Sequence, residues 1–421
     1  MQNVSQALGL LDEMQVEGVP PNTVTFNSIL HALCQAGDLK RAGKIKDYMI
    51  LKGCPPNSAT YNTLIHGFCL KGKLDSARAL YDQMIHDGCT PNEITFGTLI
   101  DGLFKLNKPS DAIDMLSLMA EKKILPNEYI YSTLINGLFR SGDPEGALRV
   151  WEMMKSKGIK PNTILYTSLI DGLCRHNMVD EAEDALSKMT TEDCPPNVLT
   201  YSSLVFGYFK AGKSQLAILT WQKMIDNGCE PNEISYSILI NGLCEEGKLK
   251  EGLMVWKNML SKGCKPDIVA YSSMIRGLCR AGMVEGGLRM FNDMLAIKDV
   301  EPDVVTYNIL FDGFLKDAKL AKAMDLLNRM LDLGCDPDIV TCNIFMKVLV
   351  DEEGKGREFL DGLIVRLCKK GRMEGAAEIF GVMIGKYLVP EVSTLDMVVR
   401  GVCNSRRVRK GIEKCWKEIW R

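Results

Sequence analysis

The sequence predicts an all-α fold, a right-handed superhelical solenoid of 35-residue helix–turn–helix repeats. Methionine recurs with that period, as at Met49 and Met84, and the series continues to Met330. Proline recurs with the same period, as at Pro56 and Pro91. Between these markers lie short segments with apolar residues at helical spacing. A recurrence of this kind within one chain indicates a stack of similar helical hairpins.

Residues 58–92 show how one unit is built. Two segments each place apolar residues on one face of a helix of about 3.6 residues per turn. They are Tyr61, Leu64, Ile65, Phe68 and Cys69 in the first segment, and Ala77, Leu80, Tyr81 and Met84 in the second. Gly72 separates the two helices, Gly88 suits a left-handed residue after the second, and Pro91 prevents its continuation. One such hairpin exposes apolar surface that neighbouring copies must cover.

The repeat pattern divides the chain into four parts. Residues 1–22 form a partial repeat with a second helix only, so the natural chain is expected to begin further upstream. Residues 23–338 hold nine complete repeats, of which 268–303 carries one extra residue. Residues 339–356 form a half repeat followed by a polar linker. Residues 357–421 form degenerate repeats and a C-terminal cap, in which Trp416 and Trp420 cover the last core layer.

Composition restricts the classes of function. The chain has 421 residues, 46% apolar and 25% charged, with a formal net charge of −2. No apolar run approaches the roughly 18 residues of a membrane span, and no targeting peptide is present in this chain. The net charge gives no overall attraction for nucleic acid, so any basic surface must be local.

Cysteines follow the repeat as well. With Ser58 counted as position one, position twelve holds Cys34, Cys69, Cys174, Cys244, Cys279, Cys368 and Cys403. Position thirty-two holds Cys54, Cys89, Cys194, Cys229, Cys264 and Cys335. Other repeats place Phe104 or Ile124 at these positions, so the thiols are interpreted as small packing groups. No CxxC or HxE pattern is present. We therefore expect no metal, no cofactor and no catalytic residue.

Small residues recur inside the predicted helices. Glycine in a helix interior costs about 1 kcal/mol relative to alanine. Its repeated use therefore predicts close approach of a neighbouring helix at Gly67, Gly102, Gly137, Gly172, Gly207, Gly242, Gly277 and Gly313. Alanine marks the corresponding contact on the second helix at Ala42, Ala77, Ala112, Ala147, Ala182 and Ala217.

A 35-residue unit reading VTYNxLIxGLCxxGxxxxAxxLxxxMxxxGxxPD resembles the pentatricopeptide repeat (PPR) family of plant organelles. All complete units have the plain length, which resembles the P class. The tetratricopeptide repeat has a different period and signature. The resemblance implies a protein that binds single-stranded RNA with one base per repeat, read by two or three side chains.

The resemblance assigns base reading to positions five and thirty-five of each repeat. The pairs are Asn27/Asn57, Asn62/Asn92, Gly97/Asn127, Ser132/Asn162, Thr167/Asn197, Ser202/Asn232, Ser237/Asp267, Ser272/Asp303 and Asn308/Asp338. Position two would wedge between bases, at Val24, Ala59, Ile94, Tyr129, Ile164, Leu199, Ile234, Val269 and Val305. Read with the protein N-terminus at the RNA 5′ end, the pairs predict 5′-Y-Y-N-A-A-A-G-G-U-3′. Both leading pyrimidines lean to cytosine, and Gly97 leaves its base open.

Helix geometry supports a binding face independently of the resemblance. Positions two, five, nine and thirteen form one stripe on the first helix, opposite its expected buried face. Position thirteen is basic in seven repeats, which suits a phosphate backbone. These residues are Lys105, Arg140, Arg175, Lys210, Arg280, Lys316 and Lys369. Gln35, Leu70 and Glu245 are exceptions.

Simpler roles exist for the same residues. Asn or Asp before a helix is a good N-cap, and Lys or Arg in the last turn complements the helix dipole. Capping and base reading are compatible. The interpretation is a non-enzymatic RNA-binding protein acting on organelle transcripts in processing, splicing, stabilisation or translation, in the mitochondrion or alternatively the chloroplast. The alternative is a helical-repeat scaffold that binds proteins.

Overall fold

The computed structural model describes residues 17–297, 300–349 and 355–404, together with residues 9, 11, 13 and 14. These residues form 22 α-helices and no strand. The predicted all-α repeat solenoid is therefore confirmed. The division into nine complete repeats and terminal parts stays a prediction, and the expected cap at Trp416 and Trp420 lies outside the described residues.

Helices of 11 to 15 residues alternate with short turns along the chain. The first twelve are α1 Thr23–Ala36, α2 Leu39–Leu51, α3 Ser58–Leu70, α4 Leu74–His86, α5 Glu93–Lys105, α6 Pro109–Glu121, α7 Glu128–Arg140, α8 Pro144–Ser156, α9 Thr163–Arg175, α10 Val179–Thr191, α11 Val198–Lys210 and α12 Ser214–Asp226. The others are α13 Glu233–Glu245, α14 Leu249–Ser261, α15 Ile268–Arg280, α16 Val284–Leu295, α17 Val304–Lys316, α18 Leu320–Asp332, α19 Ile339–Leu349, α20 Lys355–Lys369, α21 Met373–Gly385 and α22 Val392–Asn404.

The helices pack in a repeating pattern within two compact units, residues 1–223 and 224–421. In the N-terminal unit, each of the odd-numbered helices α1 to α9 packs against the helix that follows it and against the next odd-numbered helix. In the C-terminal unit, α13, α15 and α17 do the same. Near the end the pattern changes, because α19 contacts both α20 and α21, which pair with each other.

The core of each hairpin is formed by a few repeated positions. The recurring methionine is fully buried, as at Met84 and Met259. The recurring aromatic residue at position four is also buried, and in several repeats it meets a ring from the preceding second helix edge-on. Trp151 and Tyr166 illustrate this contact, with ring centroids 5.0 Å apart. Each hairpin thus buries its aromatic face only when its neighbour is present.

Close approach of neighbouring first helices is confirmed at the recurring glycine. A Cβ atom on Gly102 would lie 2.4 Å from the Sγ atom of Cys69, and one on Gly67 would lie 2.5 Å from that of Cys34. Similar contacts within each unit surround Gly137, Gly172, Gly207, Gly277 and Gly313. The recurring alanines of the second helices are fully buried. Glycine is therefore required at position ten by the distance between the helices.

The cysteines at position twelve have the expected packing role. None of the thirteen described cysteines is in a disulfide. Burial raises the pKa of Cys69 to about 11 and that of Cys174 to about 12, so both thiols stay protonated at neutral pH. Cysteines at position thirty-two do more than pack. The thiol of Cys89 donates to the carbonyl oxygen of Pro56 in the preceding loop at 3.4 Å.

The signals that end helices were also predicted correctly. Gly72 and Gly88 adopt positive φ angles of 69° and 76°, in the left-handed region. Pro109 and Pro144 occupy first helical turns, where their missing N–H group has no partner to lose.

Among the described helices, none is long and apolar enough to cross a membrane.

The packing of position ten yields a matched pair of substitutions. Gly102→Ala should lower the free energy of unfolding by about 1–3 kcal/mol, because the new methyl group overlaps Cys69. Gly362→Ala in α20 should instead raise it by roughly 1 kcal/mol, since no atom lies within 4 Å of that Cβ position and alanine favours the helix. Urea denaturation followed by circular dichroism measures both. Equal effects at the two sites would contradict the helix contact.

Candidate nucleic-acid interface

Residues at position thirty-five are N-caps in this structure. The side chains of Asn57, Asn92 and Asn127 each accept a hydrogen bond from the backbone N–H three residues later. The same bond is made by Asn162, Asn197, Asn232, Asp267, Asp303 and Asp338. Since the cap uses one side-chain oxygen, Oδ1, the second polar atom remains for another partner. At Asn162 that atom, Nδ2, already donates to the carboxylate of Glu128.

Position five lies against position thirty-five. Nδ2 of Asn62 donates to Oδ1 of Asn92 at 3.3 Å, and Nδ2 of Asn308 donates to Oδ1 of Asp338 at 3.2 Å. Asn27 contacts Asn57 in the same way at 3.4 Å. The hydroxyl of Ser237 donates to Oδ1 of Asp267 at 2.8 Å. In these four repeats the residues at positions five and thirty-five form one polar pair, as the base-reading hypothesis requires. Ser132, Thr167, Ser202 and Ser272 instead bond to other partners, and Gly97 has no side chain.

The predicted stripe is not uniformly exposed. Residues at position two are all exposed, with Val24 at 71% and Val305 at 52%. Position thirteen is exposed as well. Position five is mostly buried, and the side chain of Asn62 is only 8% exposed. The expectation that position five lies opposite the buried face is therefore wrong, because the next first helix packs directly beside it. Position five forms the floor of a cleft between adjacent first helices.

Gly97 differs from the other residues at position five. A Cβ atom there would lie 2.3 Å from Cε1 of Tyr129, the position-two residue of the following repeat. The tyrosine ring thus fills the space that a side chain at position five would occupy. The residue that the sequence leaves without a base assignment is covered by an aromatic ring that is itself 54% exposed.

A further participant at position three was not predicted from the sequence. Thr60, Thr95 and Thr341 are fully buried, and their hydroxyls donate to Oδ1 of Asn27, Asn62 and Asn308, respectively, each at 2.7 Å. These threonines belong to the repeat that follows the asparagine. Their spacing of 33 residues from position five was visible in the sequence, but its meaning depends on helix packing.

The pair Asn308/Asp338 lies in the most complete cleft of the C-terminal unit. A pocket of about 540 Å³ includes Val305, Val340, Arg280 and Lys316 in its lining, together with the pair itself. Val305 and Val340 are both exposed, and they occupy position two of consecutive first helices. Val340 was not among the predicted wedges, although its place in the half repeat starting at residue 339 is a signal that could have identified it. The pocket combines apolar walls, a polar floor and cations.

The charge state of this floor is well defined. Burial raises the pKa of Asp338, but hydrogen bonds from Thr341 and Asn308 outweigh it and bring the pKa below its ordinary value. The carboxylate is therefore ionised at neutral pH and acts only as an acceptor. Within the described residues, its second oxygen, Oδ2, makes no hydrogen bond. A ring N–H group of a ligand could donate to that oxygen.

Three cations of the basic row at position thirteen are paired with acids on the same helix. Lys105, Arg175 and Lys316 each form an ion pair with an aspartate one turn earlier, at position nine. These partners are Asp101, Asp171 and Asp312. A hydrogen bond and the charge of Asp171 raise the pKa of Arg175 further. All three pairs are substantially exposed, so a polyanion could compete for the cations.

Glu245, an exception in the basic row, is neutralised by its neighbours. Arg276 contacts one of its oxygens at 2.6 Å, and Arg280 contacts the other at 2.7 Å. Two cations thus surround one carboxylate, and the local charge stays positive. Asp361 and Glu391 occupy positions five and thirty-five of the degenerate repeat that begins at residue 357. Asp361 is 4% exposed and accepts a hydrogen bond from the backbone N–H of Glu391.

Family comparisons agree with this architecture. The sequence matches the PPR repeat family over residues 1–35, 21–70, 58–105, 94–140, 126–175, 161–210, 204–245, 238–280, 266–316 and 302–351. Residues 362–388 match the PPR repeat. The chain belongs to the pentatricopeptide repeat family. The degenerate region 357–421 thus still contains a recognisable PPR segment.

Two Arabidopsis thaliana PPR proteins illustrate the similarity. One pentatricopeptide repeat-containing protein is 48% identical over 99 residues, covering 23% of this chain and 15% of its own length. Another, named chloroplastic, is 32% identical over 128 residues, covering 26% of this chain and 16% of its own length. The chain thus aligns with about one sixth of the length of each relative.

Solved structures of PPR proteins are similar to this chain as well. The crystal structure of the pentatricopeptide repeat protein PPR10 from maize is 23% identical, with a TM-score of 0.49, covering 98% of this chain and 66% of that chain. The crystal structure of PPR10 in complex with an 18-nt psaJ RNA element is 19% identical, with a TM-score of 0.46, covering 97% and 76%.

The caps at position thirty-five predict a simple stability series. Asp267→Ala should lower the free energy of unfolding by about 1 kcal/mol, because the backbone N–H of Ala270 loses its acceptor. Asp267→Asn should leave it nearly unchanged, since asparagine caps about as well. Chemical denaturation monitored by circular dichroism measures the difference. An alanine variant as stable as the wild type would show that this side chain is no cap.

Proposed function

We propose that this chain is a P-class PPR protein that binds single-stranded RNA sequence-specifically, one base per repeat, without catalysing a reaction. Family membership supports RNA binding, since PPR repeats as a class read one base per helical repeat. The observation that carries the proposal is the polar pair at positions five and thirty-five. The four pairs that are in contact have groups left over after capping, and Asn308/Asp338 lies beside exposed apolar residues and cations.

The leftover groups differ between pairs in a way that matches different bases. In Asn62/Asn92, both oxygens are occupied, by Thr95 and by the cap. Only N–H groups remain, and they suit the two acceptors, N3 and O2, of cytosine. In Asn308/Asp338, one N–H group and one carboxylate oxygen remain. That combination suits a carbonyl oxygen and the N3–H group of uracil.

Serine pairs select purines under the same proposal. Oδ1 of Asp267 is occupied by the backbone N–H of Ala270 and by Ser237, so Oδ2 remains as an acceptor. Guanine offers N1–H and N2–H donors to such an oxygen. Asparagine at position thirty-five offers an N–H group instead, which suits the bare N1 atom of adenine. The complete order 5′-Y-Y-N-A-A-A-G-G-U-3′ is the resulting proposed target.

Other parts of the cleft contribute affinity rather than selectivity. Exposed apolar side chains at position two would contact base faces, as stacking platforms do in single-strand binders. Cations at position thirteen would neutralise phosphates. Several of them must first break an ion pair with an aspartate before they can contact the RNA. Binding should therefore weaken as salt is added.

The cellular role follows from occupancy. A protein that covers about nine nucleotides could protect a transcript from nucleases or keep it unfolded for splicing, end formation or translation. We propose that this role belongs to an organelle, the mitochondrion or alternatively the chloroplast. One relative that is named chloroplastic supports an organelle.

Specificity is tested by exchanging the acceptor at two neighbouring repeats. Asp267→Asn together with Asp303→Asn should change the preferred RNA from A-A-A-G-G-U to A-A-A-A-A-U, because asparagine presents a donor. Each mismatched base is expected to cost on the order of 1–3 kcal/mol, by analogy with base contacts on DNA. Competition between the two labelled RNAs measures the preference of each protein.

A charge-matched control is available on second helices. Asp38 and Asp143 cap α2 and α8, so Asp38→Asn with Asp143→Asn changes the net charge equally without touching a position-five pair. This control should retain the wild-type preference. If the double variant at positions 267 and 303 also retains it, base reading by these pairs is wrong. If no protein binds RNA, a protein-binding scaffold becomes the better interpretation.

The aspartates at position nine allow a gain-of-affinity test. Asp101→Asn and Asp171→Asn should each tighten RNA binding about two- to fivefold, the equivalent of an exposed ion pair of about 0.5–1 kcal/mol. The reason is that Lys105 and Arg175 then reach phosphates without leaving a carboxylate. Affinities measured at several salt concentrations provide the readout.

Asp111→Asn serves as the matched control for this test. Asp111 pairs with Arg78 at 3.2 Å between two second helices, away from the cleft. Its removal should leave affinity nearly unchanged. Equal tightening by all three variants would indicate a general charge effect, and tightening by none would exclude the basic row from phosphate binding.

A further inference from the structure

We propose that the buried hydroxyl at position three of each following repeat sets the base preference of the asparagine before it. The residues are Thr60, Thr95 and Thr341, acting on Asn27, Asn62 and Asn308. They are positioning residues, since they act through the amide rather than on RNA. This inference rests on the proposed function and names a determinant of its specificity.

The direction of each hydroxyl bond follows from its surroundings. Oγ1 of Thr95 accepts a hydrogen bond from the backbone N–H of Asn92 at 3.1 Å. A hydroxyl has one proton, and the shortest contact of Thr95 is 2.7 Å, to Oδ1 of Asn62. The threonine therefore donates to Asn62, and the amide must place its oxygen toward the protein. Thr60 accepts from the backbone N–H of Asn57 in the same way, at 3.1 Å. The hydroxyl of Thr341 accepts from the backbone N–H of Asp338 at 3.2 Å, but Oδ1 of Asn308 at 2.7 Å and Oδ1 of Asp338 at 2.8 Å share its one proton.

Fixing the oxygen decides what the RNA meets. With Oδ1 held by Thr95, the amide of Asn62 can present only N–H groups to a base. The second restraint on this amide is its bond to Asn92, which is long at 3.3 Å and correspondingly weak. Because Thr95 is fully buried, water cannot replace its hydroxyl easily. The threonine is therefore the stronger restraint on the amide.

The other repeats support this inference by contrast. Position three is apolar in Ile130, Leu165 and Ala270. The residues that these would face, Gly97, Ser132 and Ser237, have no amide to orient. Within the nine complete repeats, every asparagine at position five has a threonine 33 residues later, although Thr200, Ser235 and Thr306 show that a hydroxyl also occurs at position three beside serine or threonine. A need for the hydroxyl in helix capping would not explain this correlation. Asn127 and Asn162 cap their helices although the residues at position three, Ile130 and Leu165, have no hydroxyl.

The test replaces the hydroxyl without changing the size of the side chain. Thr95→Val should lower the preference for cytosine over uracil at the second nucleotide about fivefold, the value of one net hydrogen bond of about 1 kcal/mol. Binding is measured with RNAs that differ only at that nucleotide. Thr341→Val should change selection at the ninth nucleotide less, because the Asp338 carboxylate also holds the amide of Asn308 through a charge-assisted bond.

Three control variants complete the experiment. Thr95→Ser keeps the hydroxyl and should keep the wild-type preference. Thr98→Val removes a hydroxyl that donates to Ile94 within α5 and should have no effect on preference. Thr60→Val, read at the first nucleotide, repeats the test should Thr95→Val fail to fold. Ile130 and Leu165 show that a buried apolar residue is accommodated at this position.

Each outcome decides between the hypotheses. Reduced discrimination in Thr95→Val with recovery in Thr95→Ser supports the inference. If wild type prefers cytosine and Thr95→Val prefers it equally, the inference is overturned while base reading stands. If wild type shows no preference at the second nucleotide, or binds no RNA, base reading itself fails and the inference falls with it.

Discussion

The close approach of consecutive first helices is the constraint on which the interface depends. It requires glycine at position ten, because Cys69 or Phe104 of the preceding repeat fills the space of a Cβ atom. A larger residue would move the helices apart. It would also separate the side chains at positions five and thirty-five, which lie 30 residues apart in sequence. The contact between Asn62 and Asn92 exists because the two helices are held at this distance. Core packing thus sets the geometry of the candidate binding face.

Capping and the proposed base reading would use different atoms of the same side chains. At position thirty-five, one oxygen caps a helix, and the other polar atom remains for a ligand. This division explains how Asp and Asn can alternate there at similar stability. It also explains why a capping residue gives no sign in sequence of a second role. Capping therefore leaves room for the proposed base reading by the same side chain.

The sequence predicted much of this architecture because the repeat itself is the signal. Met84, Pro91 and Gly102 recur at fixed spacing, and such spacing determines helix order and caps. Burial of position five could not be predicted. It depends on packing of the neighbouring first helix and not on the apolar periodicity of the helix that carries the residue. The pairing of Lys105 with Asp101 and the hydroxyl bond of Thr95 were missed for different reasons. The first needs side-chain conformations, and the second joins residues of two repeats.

Tyr129 lies where a side chain on Gly97 would lie, although the two belong to different repeats. Introducing asparagine at position 97 therefore requires the ring of Tyr129 to move away or a smaller residue at position 129. A candidate site of this chain spans two consecutive hairpins. It begins in the first turn of one hairpin, where Val305 lies, and ends in the first turn of the next, where Thr341 lies. Engineers who exchange such modules by cutting at the sequence repeat would divide every site in two. Cuts placed within the second helix would move each site as a whole.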